Sequence, residues 1–247
     1  MYLQDDLELA QQMYSVLISD CGRTDDDALW DVMQSILPLH VINACYVHST
    51  NFIIITSAIS CKPLVDITKS DAYNYGIIAA IVGHEMSHGL DNYGSRYDKD
   101  GYLADWWTLD DKLKYKERQQ MLINVYDNLV VMPGVYQNGQ KTLSENIADL
   151  GGSLAAYDSF VALRKSQGCS GNELDEQKKL FLESFGSLWR EKQTAKRCLE
   201  RQKNDVHSNP IARINGVVSN FPDWYSLYNV TPNNKLYLAP ERRVSIW

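Results

Sequence analysis

Apolar residues recur with helical spacing over much of the chain. Residues 1–40 have a helical pattern with a break at Asp20-Cys21-Gly22, and the second part ends at Pro38, which predicts a helical lead-in. The same spacing recurs in three later segments, residues 109–129, 143–165 and 174–203. The pattern predicts a mostly helical protein, in which Ser144 is a candidate N-cap for the helix at 143–165.

The segment at residues 41–60 has a different pattern. It is rich in β-branched side chains, and Ser49-Thr50-Asn51 interrupts it with a turn signal. β-Branched residues on either side of a turn are typical of a hairpin or of two short strands. Together with the helical segments, this stretch predicts an α+β fold with a small sheet.

Residues 74–91 are predicted to form a buried helix, because residues 76–90 are apolar and free of proline. The tail, residues 204–247, contains four prolines and little periodicity, so we expect it to wrap the surface of the domain. Loops are expected at residues 61–73, at 92–108, and at 131–141 with an Asn-Gly turn at 138–139.

The composition is that of a globular protein, with 247 residues, 45% of them hydrophobic and 22% charged. A net charge of −7 without a basic cluster argues against a nucleic-acid partner. No apolar run is long enough to span a bilayer, and the acidic N-terminal residues are unlike a signal peptide. The five cysteines include no C-x-x-C pair, which argues against a cysteine zinc cluster or a dense disulfide framework.

The predicted buried helix contains His84-Glu85-Met86-Ser87-His88, an H-E-x-x-H pattern. Residues four apart lie on one helix face, so His84 and His88 can direct two imidazoles at one Zn²⁺ ion. Glu85 would then stand beside a zinc-bound water as a general base. A pattern of this length also arises by chance in unrelated chains, so taken alone it leaves both interpretations open.

A catalytic zinc site usually has a third protein ligand, and Glu145 is the candidate. Asp149 lies four residues further along the same helix face, where it can accept the outer N–H of a ligand histidine. The alternative is a glutamate favoured by the dipole of a helix N-terminus and a surface aspartate. The Gly151-Gly152 pair favours the functional interpretation, because glycine inside a helix is costly unless another backbone approaches closely.

Five motifs follow one another along the chain. They are Asn43-Ala44-Cys45-Tyr46, GHEMSHGLDNYG from residue 83, DKDGYLADWW from residue 98, LSENIADLGG from residue 143, and the stretch from His207 to Arg213, with a terminal Ile246-Trp247. In this order they resemble the neprilysin family of zinc metallopeptidases over nearly the whole chain past residue 35. The resemblance implies that residues 1–247 form a zincin (thermolysin-like) catalytic domain, in which an edge strand of the small sheet faces the zinc-binding helix.

The resemblance implies the metal site that the residue spacing also suggests. The zinc ligands would be His84, His88 and Glu145. Glu85 would be the general base, and Asp149 would support a ligand histidine. The cofactor implied is one Zn²⁺ ion per chain.

The resemblance also implies a set of substrate-binding residues. Asn43 and Ala44 would hold a peptide backbone along the edge strand, a mode of binding that tolerates many sequences. His207 would stabilise the oxyanion, and Arg213 would bind a substrate carbonyl. Considered without the resemblance, a lone histidine in a proline-rich tail is more often a surface residue. For Leu188-Trp189, a place near the substrate pocket and a core-packing role both stay open.

The chain departs from the family in length and at several positions. Family members are much longer and carry an N-terminal part that roofs the active-site cavity and restricts substrates to small peptides. We therefore expect a fragment, a chain completed by a partner, or a shortened form. Local departures are Thr56-Ser57-Ala58 for a Pro-Ala-Gly run, Ser144 for a glycine, and Asn209 for a proline.

The expected function is zinc-dependent endopeptidase activity on short peptides. The alternative is a non-catalytic or weakly active homologue that binds peptides or a partner chain. The resemblance implies a location outside the cytoplasm, in an exported or membrane-anchored parent protein, although this chain shows no signal or anchor.

Overall fold

A computed structural model describes residues 37–246. The lead-in predicted for residues 1–36, and the terminal Trp247, lie outside the described residues. The described part is mostly helical, with two small two-stranded antiparallel sheets. The predicted fold class is therefore confirmed.

The first sheet is a hairpin of β1 (Ala44–Val47) and β2 (Phe52–Ile55). Ala44 pairs with Ile55, and Val47 pairs with Phe52. Asn51 ends the turn at φ +53°, a left-handed conformation that asparagine tolerates better than most residues. Because this sheet has only two strands among the described residues, the outer edge of β1 is left without a strand partner.

The helix that carries the H-E-x-x-H pattern is built from consecutive segments. The first segment, α1 (Asp71–Asn74), begins at the N-cap Ser70, whose side chain accepts a hydrogen bond from the backbone N–H of Tyr73. A π-helical turn (Tyr75–Ala79) leads into α2 (Ala80–His88). A 3₁₀ turn (Gly94–Arg96) follows, and α3 (Leu109–Asp127) begins at the N-cap Thr108.

The longest described helix, α4 (Leu143–Ser166), packs against α2 with direct backbone contact. A Cβ atom placed on Gly83 would lie 2.5 Å from the carbonyl oxygen of Gly152. A Cβ atom on Gly152 would collide with the backbone nitrogen of His84. The close backbone approach expected at the glycine pair is therefore present at Gly152, and it brings the His84 segment next to the first half of α4.

The N-cap expected at Ser144 is wrong. The helix begins one residue earlier, at Leu143, and Thr142 occupies the N-cap position. The Ser144 hydroxyl instead donates a hydrogen bond to the Asp91 carboxylate, so it is engaged with another segment rather than with its own helix end.

The single helix expected at residues 174–203 is also wrong, because the structure contains two. Helix α5 (Gly171–Leu188) ends before a short non-helical stretch, and α6 (Ala195–Asn204) follows. Thr194 starts the second helix by accepting a hydrogen bond from the backbone N–H of Arg197. This N-cap is a sequence signal that apolar periodicity alone does not register.

The loop expected at residues 131–141 contains a second hairpin, of β3 (Val130–Met132) and β4 (Val135–Tyr136). Its turn lies at Gly134, which has a φ of +78° that favours glycine. The Asn-Gly dipeptide lies beyond the hairpin, where the backbone N–H of Gly139 donates to Asp127 Oδ1 at 2.7 Å.

The tail does more than wrap the surface. Two of its prolines begin helices, α7 (Pro210–Val218) and α8 (Pro222–Leu227), and a third begins a 3₁₀ turn (Pro240–Arg242). Proline suits the first turn of a helix because its missing N–H would have no partner there. The tail also contributes core side chains, among them Val217, Phe221, Val244 and Ile246.

The apolar core lies along both halves of α4. One cluster packs the first half of α4 against α3 and the end of the tail. A second cluster packs the later half, including Phe160, against Phe181 of α5 and Phe221 of the tail. No helix within residues 37–246 has the length and apolar character needed to cross a membrane.

Candidate metal centre

Three side chains from α2 and α4 converge on one point. The ligand atoms of His84, His88 and Glu145 all lie within 4.8 Å of one another. The two histidine Nε2 atoms are 3.1 Å apart. Glu145 Oε2 lies 3.2 Å from Nε2 of His84 and 3.7 Å from Nε2 of His88. The predicted ligand set is thus assembled from the last turns of α2 and the first turn of α4.

Asp149 contacts His84 at Nδ1, the ring nitrogen that faces away from the other candidate ligands. Its Oδ1 lies 2.8 Å from Nδ1 of His84. Arg213 donates to the same carboxylate through Nε at 2.7 Å and Nη2 at 2.6 Å, and its guanidinium lies 3.5 Å from the ring centre of Trp189. Burial raises the pKa of Asp149, but Arg213 and His84 outweigh it and hold that pKa well below its usual range. The carboxylate is therefore charged and can only accept.

His88 is held in the same way by Asp91, a residue that the sequence reasoning missed. Asp91 Oδ2 lies 2.8 Å from Nδ1 of His88. Its Oδ1 accepts the backbone N–H groups of Tyr93 at 2.6 Å and Gly94 at 2.7 Å. Burial raises the pKa of Asp91, and the hydrogen bonds from His88, Ser144 and Gly94 lower it further than burial raises it. The signal available in the sequence was an aspartate three residues after the second histidine.

The geometry of these groups fits a bound cation. Each imidazole directs Nδ1 at a charged carboxylate, which requires a proton on Nδ1, so in the neutral ring Nε2 keeps its lone pair. Glu145 Oε2 is buried and receives no hydrogen bond from any described residue. The two histidine Nε2 atoms and Glu145 Oε2 are therefore three buried, electron-rich atoms that face one another, an arrangement that a cation between them would stabilise. Two imidazoles with one carboxylate are a ligand set that suits Zn²⁺.

The titration of His84 supports the same interpretation. Burial lowers its pKa, but the neighbouring carboxylates of Asp149 and Glu145 outweigh burial and raise the pKa to about 9. Carboxylates that stabilise a proton on this ring also stabilise a metal ion in the proton's place.

Glu85 lines the same cavity and is itself buried, at 6% exposure. Burial raises the pKa of this carboxyl above its ordinary value, and the neighbouring His84 and His88 partly oppose that rise. A carboxylate whose pKa is raised by its surroundings is a stronger base than an exposed glutamate, as a general base requires.

His207 reaches the centre from the segment before α7. Its Nε2 lies 3.2 Å from Glu145 Oε2. Its Nδ1 lies 2.9 Å from Asp205 Oδ1, which also accepts the backbone N–H of His207 at 2.9 Å. Asp205 was not singled out in the sequence, although an aspartate two residues before a histidine is a common local partner. The structure thus places this tail histidine at the metal centre.

The start of β1 forms one rim of the cavity. Asn43 Oδ1 accepts the backbone N–H of Ala44 at 3.0 Å. The hydroxyl of Thr56 lies within hydrogen-bond distance of two backbone carbonyls, those of Val41 at 2.7 Å and Asn43 at 2.9 Å, and can donate to either. This fully buried threonine therefore contacts the backbone of the residues that lead into β1.

One cavity of about 730 Å³ is lined by the three candidate ligands together with Glu85, Asp91, Asp149 and His207. Leu188 and Trp189 also line it. Every site residue predicted from the sequence lines it, namely Asn43, Ala44, His84, Glu85, His88, Glu145, Asp149, His207 and Arg213.

Comparisons with known proteins agree with this architecture. Residues 43–244 match peptidase family M13. The chain is 33% identical over 211 residues to a neutral endopeptidase of Lactococcus lactis subsp. lactis (strain IL1403), a match that covers 85% of this chain and 32% of the relative. It is 33% identical over 213 residues to human neprilysin, covering 84% of this chain and 28% of the relative. The chain therefore spans less than a third of the length of these relatives.

A solved structure gives the same result. The structure of the Mycobacterium tuberculosis zinc metalloprotease ZMP1 in complex with an inhibitor superposes with a TM-score of 0.78 at 33% identity. The match covers 90% of this chain and 36% of that protein. The chain belongs to peptidase family M13, the neprilysin family.

Proposed function

We propose that this chain is the catalytic part of a zinc-dependent endopeptidase that cleaves short peptides. The observation that carries the proposal is the convergence of His84, His88 and Glu145 within 4.8 Å, beside the buried Glu85 in one open cavity. A purely structural metal site would have a fourth protein ligand and no adjacent base. The zinc metalloprotease and endopeptidases that the chain resembles support the same assignment.

The chemistry follows from the residues around the ligands. His84, His88 and Glu145 would hold the zinc ion, which when bound would supply Lewis-acid chemistry, with a water pKa lowered to about 7. Glu85 would accept a proton from the attacking water and then deliver it to the leaving amine. Asp149 and Asp91 keep the two imidazoles in the tautomer that presents Nε2 to the metal.

The remaining site residues act on the substrate. His207 would donate from Nε2 to the oxyanion that develops on the scissile carbonyl, and Asp205 would keep that ring oriented. The unpaired edge of β1, beginning at Asn43 and Ala44, would bind an extended peptide through main-chain hydrogen bonds. Arg213 donates hydrogen bonds to Asp149 through Nε and Nη2. We therefore propose that Nη1, its remaining guanidinium nitrogen, binds a substrate carbonyl.

The competing candidate is a module that binds peptides without cleaving them. The full 247-residue chain should be assayed for zinc content and for hydrolysis of an internally quenched peptide, with and without a chelator. We expect one zinc per chain and hydrolysis that stops on chelation and returns with zinc. One zinc per chain without cleavage would instead favour the binding module.

We further propose that the parent protein acts outside the cytoplasm, as the family resemblance implies. We propose also that a further domain or a partner chain covers the cavity and limits substrates to short peptides. Exposed apolar side chains near the centre, including Met86 at 62% and Tyr93 at 57%, support a covering partner. A supporting experiment is co-purification of this chain with the remainder of its parent protein, expressed separately.

A further inference from the structure

Asp91 contacts both helices that carry the candidate metal ligands, through His88 of α2 and Ser144 of α4. It is fully buried and lies three residues after His88, the last residue of α2. One carboxylate oxygen accepts the backbone N–H groups of Tyr93 and Gly94. The other accepts from Nδ1 of His88 at 2.8 Å and from the hydroxyl of Ser144. All lone-pair directions of this carboxylate are thus used by named donors.

Ser144 occupies a particular place in this arrangement. It lies in the first turn of α4, immediately before the ligand Glu145. Its hydroxyl meets the same Asp91 oxygen that holds His88. It stands where the resembling family motif has glycine, which has no side chain to make this bond. The hydroxyl therefore links His88, the last residue of α2, to the first turn of α4 through the Asp91 carboxylate.

We infer that Ser144 is a positioning residue that fixes Glu145 relative to His88 through the shared Asp91 oxygen. The inference rests on the proposed zinc site. A hydrogen bond to a charged carboxylate is stronger than one between neutral groups. It also limits rotation of Asp91 and sliding of the first turn of α4, both of which would move a metal ligand. Groups behind metal ligands set ligand orientation and basicity in this manner.

The inference is tested by metal affinity rather than by catalysis. The wild-type chain and the variants Ser144→Ala and Ser144→Thr should be titrated with Zn²⁺ against a chromogenic chelator. Their Co²⁺-substituted forms should be compared by visible absorption, which reports ligand geometry. Ser184→Ala is the matched control, because Ser184 is a buried helical serine whose hydroxyl donates only to Leu180 within its own helix.

We expect Ser144→Ala to lose about tenfold in zinc affinity, the lower end of the usual effect of groups behind metal ligands, and to change the Co²⁺ spectrum. Ser144→Thr, which keeps the hydroxyl, should recover most of the affinity, and Ser184→Ala should match the wild type. Wild-type affinity and an unchanged spectrum in Ser144→Ala would overturn the inference while leaving the zinc site intact. Absence of zinc binding by the folded wild-type chain would overturn the proposed function, and the inference with it.

Discussion

At the scale of single residues, Asp149 has the largest electrostatic role in the site. It is 2% exposed and holds both His84 and Arg213, which is itself buried. Its depressed pKa keeps it charged at neutral pH. A buried charge is tolerated only when paired, so this carboxylate orients His84 and neutralises the arginine at the same time.

Replacing Asp149 by asparagine should therefore destabilise the metal-free protein. The change leaves Arg213 buried without a counter-charge, and breaking such a pair typically costs about 3–5 kcal/mol. The measurement is the free energy of unfolding in urea with a chelator present. The control is Asp175→Asn, which removes one partner of a surface pair with Lys178 at 3.9 Å and should change stability by less than about 0.5 kcal/mol. Equal effects of the two substitutions would contradict this role of Asp149.

Residue type and spacing predict His84, His88 and Glu145 as ligands and Asp149 as their support, and the structure brings these side chains together. Sequence reasoning reached Asn43, Ala44, His207 and Arg213 only through the family resemblance. It missed Asp91 and Asp205, because one aspartate near a histidine is common and only the folded chain shows which of them contacts the ring. It noted Asn209 only as a departure from the family, whereas its backbone N–H donates to Gln137 Oε1 at 3.0 Å, a bond that proline cannot make.

At the scale of elements, the crossing of α2 and α4 sets the geometry of the metal centre. The two helices touch through glycine backbones at Gly83 and Gly152. This contact lies one residue before His84 and three residues after Asp149 in the respective helices. A wider spacing between the helices would separate the ligands, so the packing of the glycines is a condition for the site.

Replacing Gly83 by alanine should push the helices apart. Its Cβ would lie 2.5 Å from the Gly152 carbonyl oxygen, and overpacking of this kind costs about 1–3 kcal/mol even though alanine favours helix formation. Zinc affinity should fall as well. Both quantities can be measured by urea unfolding and by chelator competition.

The control for that experiment is Gly186→Ala in α5. A Cβ there would meet only the Ile214 methyl group at 3.9 Å. This substitution should stabilise the protein by about 0.5–1 kcal/mol, because alanine loses less backbone entropy than glycine in a helix. Destabilisation by both alanines, or by neither, would show that the close contact at Gly83 does not control packing.

Asp223 links α8 to α4 and α5, and this link depends on pH. Asp223, in the first turn of α8, accepts from the Tyr157 hydroxyl of α4 at 2.7 Å and lies 2.8 Å from Lys178 Nζ of α5. Burial raises the pKa of Asp223, but Lys178 and Tyr157 outweigh it and bring the pKa below the ordinary value of 3.8. Because the folded-state pKa is depressed, the stabilisation is complete above the ordinary pKa and is lost as pH falls through the folded-state value.

The wild type should therefore lose its advantage over Asp223→Asn in acid. The group is partly exposed, so we expect a difference of only about 0.5–1 kcal/mol at neutral pH, shrinking as pH falls below about 4. Urea unfolding of both proteins at several pH values measures it. A difference that grows toward low pH would contradict the assignment.

Element boundaries were less predictable than element types. The apolar spacing across residues 174–203 runs through the break between α5 and α6, because side chains in the intervening loop also pack inward, as Trp189 does against Arg213. In the tail, proline was taken as a sign of irregular chain, whereas at the first turn of α7 and α8 it begins a helix. Both errors come from tertiary contacts and capping that a periodicity pattern does not contain.

At the scale of the whole molecule, residues far apart in the chain line one cavity. Asn43 and Ala44 lie at the start of β1, α2 and α4 supply the candidate ligands, and the tail supplies His207 and Arg213. The order of the motifs suggested a common site, but the cavity itself depends on packing of α4 between its two core clusters. The overall fold of the described chain superposes on that of the zinc metalloprotease ZMP1 with a TM-score of 0.78.

In the proposed mechanism, Glu85 acts as general base beside a metal held by other residues. The most direct measurement is peptide hydrolysis by Glu85→Gln at a zinc content equal to that of the wild type. Because glutamine keeps the shape of the side chain but cannot take a proton, we expect one zinc per chain with hydrolysis reduced by roughly 10²–10⁴-fold, the usual contribution of a general base. Full activity in zinc-loaded Glu85→Gln would contradict the account.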